Sequence, residues 1–143
     1  MNIREAVTED LERIVQLFGQ LGYATIPEQV GNRLHELRQS ASGQAFVAQD
    51  CGNIVGVAIV HIMKPLHVPD AWALLSALVV DDKCRSSGVG ARLLSAAEGF
   101  AMQHGCLQLE LSSSSARTRA HRFYERHGYQ EKRLRFVKKL SCN

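Results

Sequence analysis

One stretch, Leu78 to His104, constrains the chain more than any other. An apolar run, Leu78-Val79-Val80, meets a polar break, Asp81-Asp82-Lys83-Cys84, and Arg85-Ser86-Ser87-Gly88-Val89-Gly90-Ala91 then opens an apolar-striped segment. Val89, Leu93, Ala97 and Phe100 recur at helical spacing, Leu94 and Ala101 widen the stripe, and Gly105 is a natural stop. The first N–H groups of a helix lack intrahelical acceptors and the helix end carries roughly half a positive charge, so an anion fits there. Gly88 and Gly90 remove the Cβ atoms that would hold a phosphate away from those N–H groups, and Arg85 adds a fixed charge at the mouth. The pattern therefore predicts a strand, a pyrophosphate-binding turn and a helix. For these residues alone, a tight turn that needs its glycines only for geometry is the plain alternative. Other phosphate motifs fit worse: there is no Gly-Lys-Ser/Thr, and Leu93 stands where a GxGxxG fingerprint needs glycine.

The chain as a whole narrows the function classes. With 143 residues, one domain over residues 1–143 is expected. The net charge of +3 is too small for the dense basic stripe of a nucleic-acid binder, but it suits a small polyanion. No apolar run reaches membrane-spanning length, so no membrane partner is expected. Met1-Asn2-Ile3-Arg4-Glu5 lacks the basic and apolar regions of a secretory signal, and a cytoplasmic location follows as the default. Cys51, Cys84, Cys106 and Cys142 form no CxxC pair, and no two histidines lie four apart, so neither a disulfide framework nor a metal is expected.

Along the chain, residues 2–7 read as a first strand and Thr8 as a helix start ahead of Leu11, Ile14, Val15, Phe18 and Leu21. A second helix begins near Pro27. Residues 44–49 and 54–62 read as a hairpin around Asp50-Cys51-Gly52-Asn53. Residues 63–70 form a loop placed to line an acceptor pocket, with His67 in it, and residues 72–80 form a long apolar strand. Cys106 to Leu111 is a further strand, residues 116–126 a helix, and the chain ends in a strand through Leu140 in which Leu134 and Phe136 alternate with Arg133, Arg135 and Val137.

Strand, Arg-x-x-Gly-x-Gly, helix resembles the nucleotide-binding signature of the GNAT acetyltransferase superfamily. A second segment, Ala120-His121-Arg122-Phe123-Tyr124-Glu125-Arg126-His127-Gly128-Tyr129, is similar to its Ala-x-x-Phe-Tyr-x-x-x-Gly-Phe/Tyr motif. The resemblance runs nearly the full length. It implies an α/β (α+β) fold, a three-layer sandwich whose mixed central sheet has about six to seven strands flanked by about four helices. It also implies acetyl-CoA as cosubstrate, with Leu78, Val79 and Val80 along the pantetheine and Arg85, Ser86, Ser87, Gly88, Val89, Gly90 and Ala91 at the pyrophosphate. Lys83 and Arg92 would join Arg85 around the phosphates. Tyr124 matches the tyrosine that donates a proton to the departing thiolate, which suits a phenol protonated at neutral pH.

The implied reaction is acetylation of a primary amine of a small molecule by direct attack, with no acetyl-enzyme assumed at Cys84 or Cys106. An amine of pKa near 10.4 is neutral only about once in 10³ molecules at pH 7, so something must take a proton. Many GNAT enzymes place a glutamate on the strand before the turn; here the candidate positions are Leu74, Ser76 and Ala77, and a water chain ending at Ser76, His61 or another polar group is the substitute. A backbone N–H near Val79 or Val80 would polarise the thioester carbonyl. Arg117 stands where many relatives have asparagine. The pattern Ala-His-Arg-Phe-Tyr, Gly-Tyr, then Arg135-Phe136 before Lys138 and Leu140 is similar to the aminoalkylphosphonate N-acetyltransferases and implies a small anionic amine as acceptor. A CoA-binding or sensing module without turnover, a protein or peptide N-acetyltransferase, and a homodimer all remain open at this point.

Overall fold

The N-terminal strand and the first helix are joined by one buried carboxylate. Asp10, 6% exposed, accepts two hydrogen bonds from the Arg4 guanidinium, at 2.8 and 3.0 Å, and one from the Val7 N–H at 2.8 Å. Residues Thr8–Asp10 form a short 3-10 turn, so α1 (Leu11–Leu21) starts after Asp10 rather than at Thr8. Arg4 holds the Asp10 carboxyl below its ordinary range, against the opposing effect of burial. A depressed folded-state pKa contributes stability that is complete above the unfolded value near 3.9 and is lost as pH falls through the folded one. Asp10→Ala is expected to cost about 2–3 kcal/mol by urea midpoint at pH 7, because it strands a guanidinium and an N–H; the gap from the parent should shrink below about pH 4.

This computed structural model describes residues 1–85, 87–113, 117–132 and 135–141. They fall into two compact units, Met1–Ser112 and Ser113–Asn143. In the first, β1 (Asn2–Glu5), β2 (Gly43–Asp50), β3 (Asn53–Met63), β4 (Trp72–Val80) and β5 (Leu109–Leu111) make a sheet in that order. Strands β1 to β4 are successively antiparallel, and β4 and β5 run parallel. Helix α1 and α2 (Pro27–Gln39) share a core with one face through Ile14, Leu17, Leu34, Ala45, Val47, Val57 and Val79. On the other face α3 (Val89–Gln103) lies so close to β3 that a Cβ on Gly56 would meet Leu93 at 2.8 Å and Val89 at 3.1 Å. Both turn residues of the β2–β3 hairpin have positive φ, Cys51 at 50° and Gly52 at 83°, the twist that a two-residue hairpin requires.

The mixed α/β class and the four helices, α4 (Thr118–Arg126) included, agree with the sequence reading, but the strand count does not. Five strands form among the described residues, against the six to seven expected. The strand expected from Cys106 begins only at Leu109, because the Cys106 N–H bonds to the Ala101 carbonyl at 3.0 Å and completes the end of α3 around Gly105 (φ 76°). The expected final strand is not formed in residues 129–132 or 135–141, where Phe136, Val137 and Leu140 are exposed; Arg133 and Leu134 lie outside the described residues. Alternation marks a strand only where a ladder partner and a buried face meet it. No helix among the described residues is long and apolar enough to cross a membrane.

Candidate active site

The turn after β4 is held from behind by α1. The Asp81 N–H extends the ladder to the Val55 carbonyl at 2.8 Å, and the buried Asp81 side chain accepts the Lys83 N–H at 3.0 Å. The Arg13 guanidinium bonds that carboxylate, and its Nε donates to the Ile54 carbonyl at 2.8 Å. Gln20 Oε1 accepts the Asp82 N–H at 2.9 Å. The Lys83 N–H first, and Arg13 with it, hold the Asp81 carboxyl below its ordinary range. Arg13→Met is expected to lower stability by about 1–3 kcal/mol by urea midpoint and to speed amide exchange at Lys83, because a largely buried carboxylate loses its partner. The sequence reading missed Arg13, Gln20 and Asp81; an Asp-x-Lys capping pattern was visible, but its partner stands far upstream.

Beyond the clamp the chain turns into α3. Ser87 Oγ donates to the Cys84 carbonyl, and Gly88, at φ 84°, is the left-handed N-cap residue. The N-cap glycine offers no side-chain cap to α3, and no acidic residue lies in its first turn. The Arg92 N–H is bonded to the Gly88 carbonyl at 3.2 Å, so the amides of Val89, Gly90 and Ala91 are the helix-end donors. Val89 itself is anchored in the core, while Gly90 and Ala91 are half-buried. Arg85 is exposed and paired to Asp82 at 2.7 Å. Arg92, expected beside the turn, instead donates to the Met1 carbonyl at 3.0 Å. Ser86 lies outside the described residues.

The edge of β4 opens where β5 stops. Among the described residues, pairing with β5 covers Ala73, Leu74 and Leu75 only. At that point the β3–β4 register slips: Val60 faces Leu75 and Ile59 faces Ala77, so Ser76 is an extra residue, a bulge in β4. Since the Asp81 N–H faces β3, ladder alternation turns the amides of Ala77 and Val79 the same way and those of Leu78 and Val80 toward the open edge. Of Val79 and Val80, the pair weighed as carbonyl polarisers, Val80 therefore has its N–H on that edge. Ser76 is exposed, and its Oγ lies 2.8 Å from His61 Nε2. Burial pushes the His61 pKa below its ordinary value. Leu74 and Ala77 are half-buried, and no residue of β4 carries a carboxylate.

The loop before β4 lies elsewhere. Lys64, Val68, Asp70 and Ala71 line a cavity of about 260 Å³ with His104 and Gly105 at the far end of α3 from the turn, and His67 is exposed. Cys51, Cys84 and Cys106 are free; Cys106 is buried, and that burial pushes its thiol pKa up. Cys142 lies outside the described residues, among which no cluster of three or more metal-ligating side chains occurs.

In the second unit α4 begins at Thr118, after the non-helical Arg117; Ser114, Ser115 and Ala116 lie outside the described residues. Tyr124 is half-buried, edge-on to Phe123 (centroids 5.3 Å apart) and to Tyr129 (5.9 Å). Gly128, at φ 91°, lets the Tyr129 N–H return to the Tyr124 carbonyl at 3.0 Å, which explains the Phe-Tyr-x-x-x-Gly-Tyr spacing. Burial raises the Tyr124 phenol pKa above 10 and the Arg117 charge opposes it, so the hydroxyl is protonated throughout the neutral range.

A mixed sheet with this turn, together with the Phe-Tyr helix, defines an acyltransferase class, and the comparison with known families agrees. The profile of the acetyltransferase (GNAT) family matches residues 8–129; the chain belongs to that family and is an acetyltransferase enzyme. It is 33% identical to the aminoalkylphosphonate N-acetyltransferase of Salmonella typhimurium, covering 96% of this chain and 90% of that protein. It is 30% identical to the N-acetyltransferase YhfO of Bacillus subtilis, covering 92% and 91%. Among solved structures, glucosamine-6-phosphate N-acetyltransferase from Arabidopsis thaliana shares the fold with a TM-score of 0.81 at 24% identity, over 98% of each chain.

Proposed function

We propose that this enzyme transfers acetyl from acetyl-CoA to the primary amine of a small molecule by direct attack, with residues 1–143 acting as one domain in the cytoplasm. The observation that carries the reading is a glycine-entered α3 N-terminus that follows a turn whose Asp81 and Asp82 are clamped by Arg13 and Gln20, after a strand whose amide edge is unpaired past Leu75 among the described residues. Amides of residues 88–91 suit the diphosphate, since unpaired N–H groups and the helix dipole favour negative charge. Arg85 and Ser87 stand at the same turn, with Ser86 between them in the sequence. The outward amides of Leu78 and Val80 suit the amide-rich pantetheine arm, and Val80 suits the thioester oxygen as charge develops there. Val79 supports the strand from the core.

The neutral amine attacks the thioester carbon, the C–N bond forms, and the C–S bond breaks with its electron pair going to sulfur. Tyr124 protonates the thiolate, and its raised pKa keeps that proton available. The family match covers residues of both units. For the acceptor, the relative named as an aminoalkylphosphonate N-acetyltransferase supports a small amine bearing an anionic group. The absence of a carboxylate from β4 favours one second reading, a CoA-binding module without turnover. An acceptor screen following free thiol release separates the two: aminoalkylphosphonates, amino sugar phosphates, polyamines and peptides are tested, with acetyl-CoA binding followed by thermal shift. Thiol release with a small amine supports transfer; a thermal shift without release on any acceptor overturns it.

A further inference from the structure

Resting on the acetyl-transfer reading above, we propose that Ser76 and His61 form the proton relay that deprotonates the attacking amine nitrogen. Three observations converge on this pair. Ser76 is the bulged residue of β4, and its exposed side chain is open to a substrate. It lies two residues from Leu78, about 6–7 Å along the strand, where the amide edge suited to the thioester arm begins. Its Oγ is 2.8 Å from His61 Nε2, while its other acceptor, the Ile59 carbonyl, is at 3.5 Å, the limit of a hydrogen bond. With the imidazole proton on Nδ1, Nε2 accepts the serine hydroxyl, and an oxygen lone pair faces outward.

The proton count closes. As the C–N bond forms, the neutral amine nitrogen becomes cationic and acidic. Its proton passes to Ser76 Oγ while the Ser76 hydroxyl proton passes to His61 Nε2, and the imidazolium returns a proton to water. The thiolate takes its proton from Tyr124, whose phenolate recovers one from water. Amine and thioester give amide and thiol with no net proton change. Around His61, β2 presents Gly43 and β4 presents Leu74, neither of them ionisable. The titratable groups of the neighbouring segments are the exposed Glu28, Arg33, His35, Glu36 and Arg38 of α2, which packs on β2, and the exposed Lys64 after β3. Burial is the cause that lowers the His61 pKa, so its proton-accepting form is present through the neutral range.

The test compares the parent with His61→Gln and Ser76→Ala, using aminomethylphosphonate and the amine panel, with kcat/KM expressed per neutral amine. The parent should show an acid limb with a midpoint below about 6.5. His61→Gln should lose that limb and about 10²-fold in kcat/KM, and Ser76→Ala should lose at least about tenfold, at unchanged KM for acetyl-CoA. Ser76 is exposed, so its alanine variant folds, and an acetyl-CoA thermal shift equal to the parent's verifies both proteins. Both variants within about threefold of the parent, or an unchanged acid limb in His61→Gln, would overturn the relay alone. A parent that releases no thiol with any acceptor would overturn the transfer reading and the relay with it.

Discussion

Tyr124→Phe is expected to lower kcat by about 10²- to 10⁴-fold while leaving KM for acetyl-CoA near its parent value. The substitution removes one oxygen and keeps the ring, so the edge-on contacts with Phe123 and Tyr129 persist and α4 retains its packing. What is lost is the donor facing charge that exists only as the C–S bond breaks, and a group acting there changes kcat rather than ground-state binding. Burial has already raised the phenol pKa, so the parent should keep its activity up to about pH 10 before an alkaline limb appears, and that limb should be absent from the variant. Stopped-flow thiol release across pH measures both. A variant with parent-like kcat would show that the hydroxyl takes no part in the chemical step.

Gly90→Val should weaken acetyl-CoA binding by roughly 100-fold and leave folding nearly untouched. Two charge-assisted hydrogen bonds to a diphosphate, at about 1.5 kcal/mol each, account for that loss. Gly90 lies inside the first turn of α3, where valine is a slightly better helix former than glycine, so the change in stability should stay within about 0.5 kcal/mol. Gly88 is a poorer probe, because its φ of 84° would strain any side chain and mix folding with binding. Calorimetric titration of acetyl-CoA against both proteins, alongside urea midpoints, separates the two effects.

Local chemistry made much of this molecule readable. Gly88 and Gly90 sit in six consecutive residues with Arg85, so the glycine-entered turn into α3 needed no knowledge of the rest of the chain. The limits of β4 came out at Trp72 and Val80 because Pro69 and Asp70 break the chain before it and Asp81 breaks it after. Asp50 to Asn53 carried the hairpin in its own composition. What escaped was set by partners remote in sequence. Arg13 reads as a surface position on an amphipathic helix until Asp81 is brought to it. The sequence names Ser76 and His61 as polar groups that could take a proton, but not the register slip that makes Ser76 a bulge and brings its Oγ to 2.8 Å from the imidazole. Cys106 has strand-like neighbours, yet its N–H closes α3. Phe136 and Val137 have the composition of a strand, but a strand requires a neighbouring strand, which composition does not report.

A crystal structure with acetyl-CoA bound tests the central claim most directly. Diphosphate oxygens about 2.7–3.2 Å from the amides of residues 88–91 are the predicted result. A diphosphate resting anywhere else on the protein, with the first turn of α3 facing only water, would contradict it.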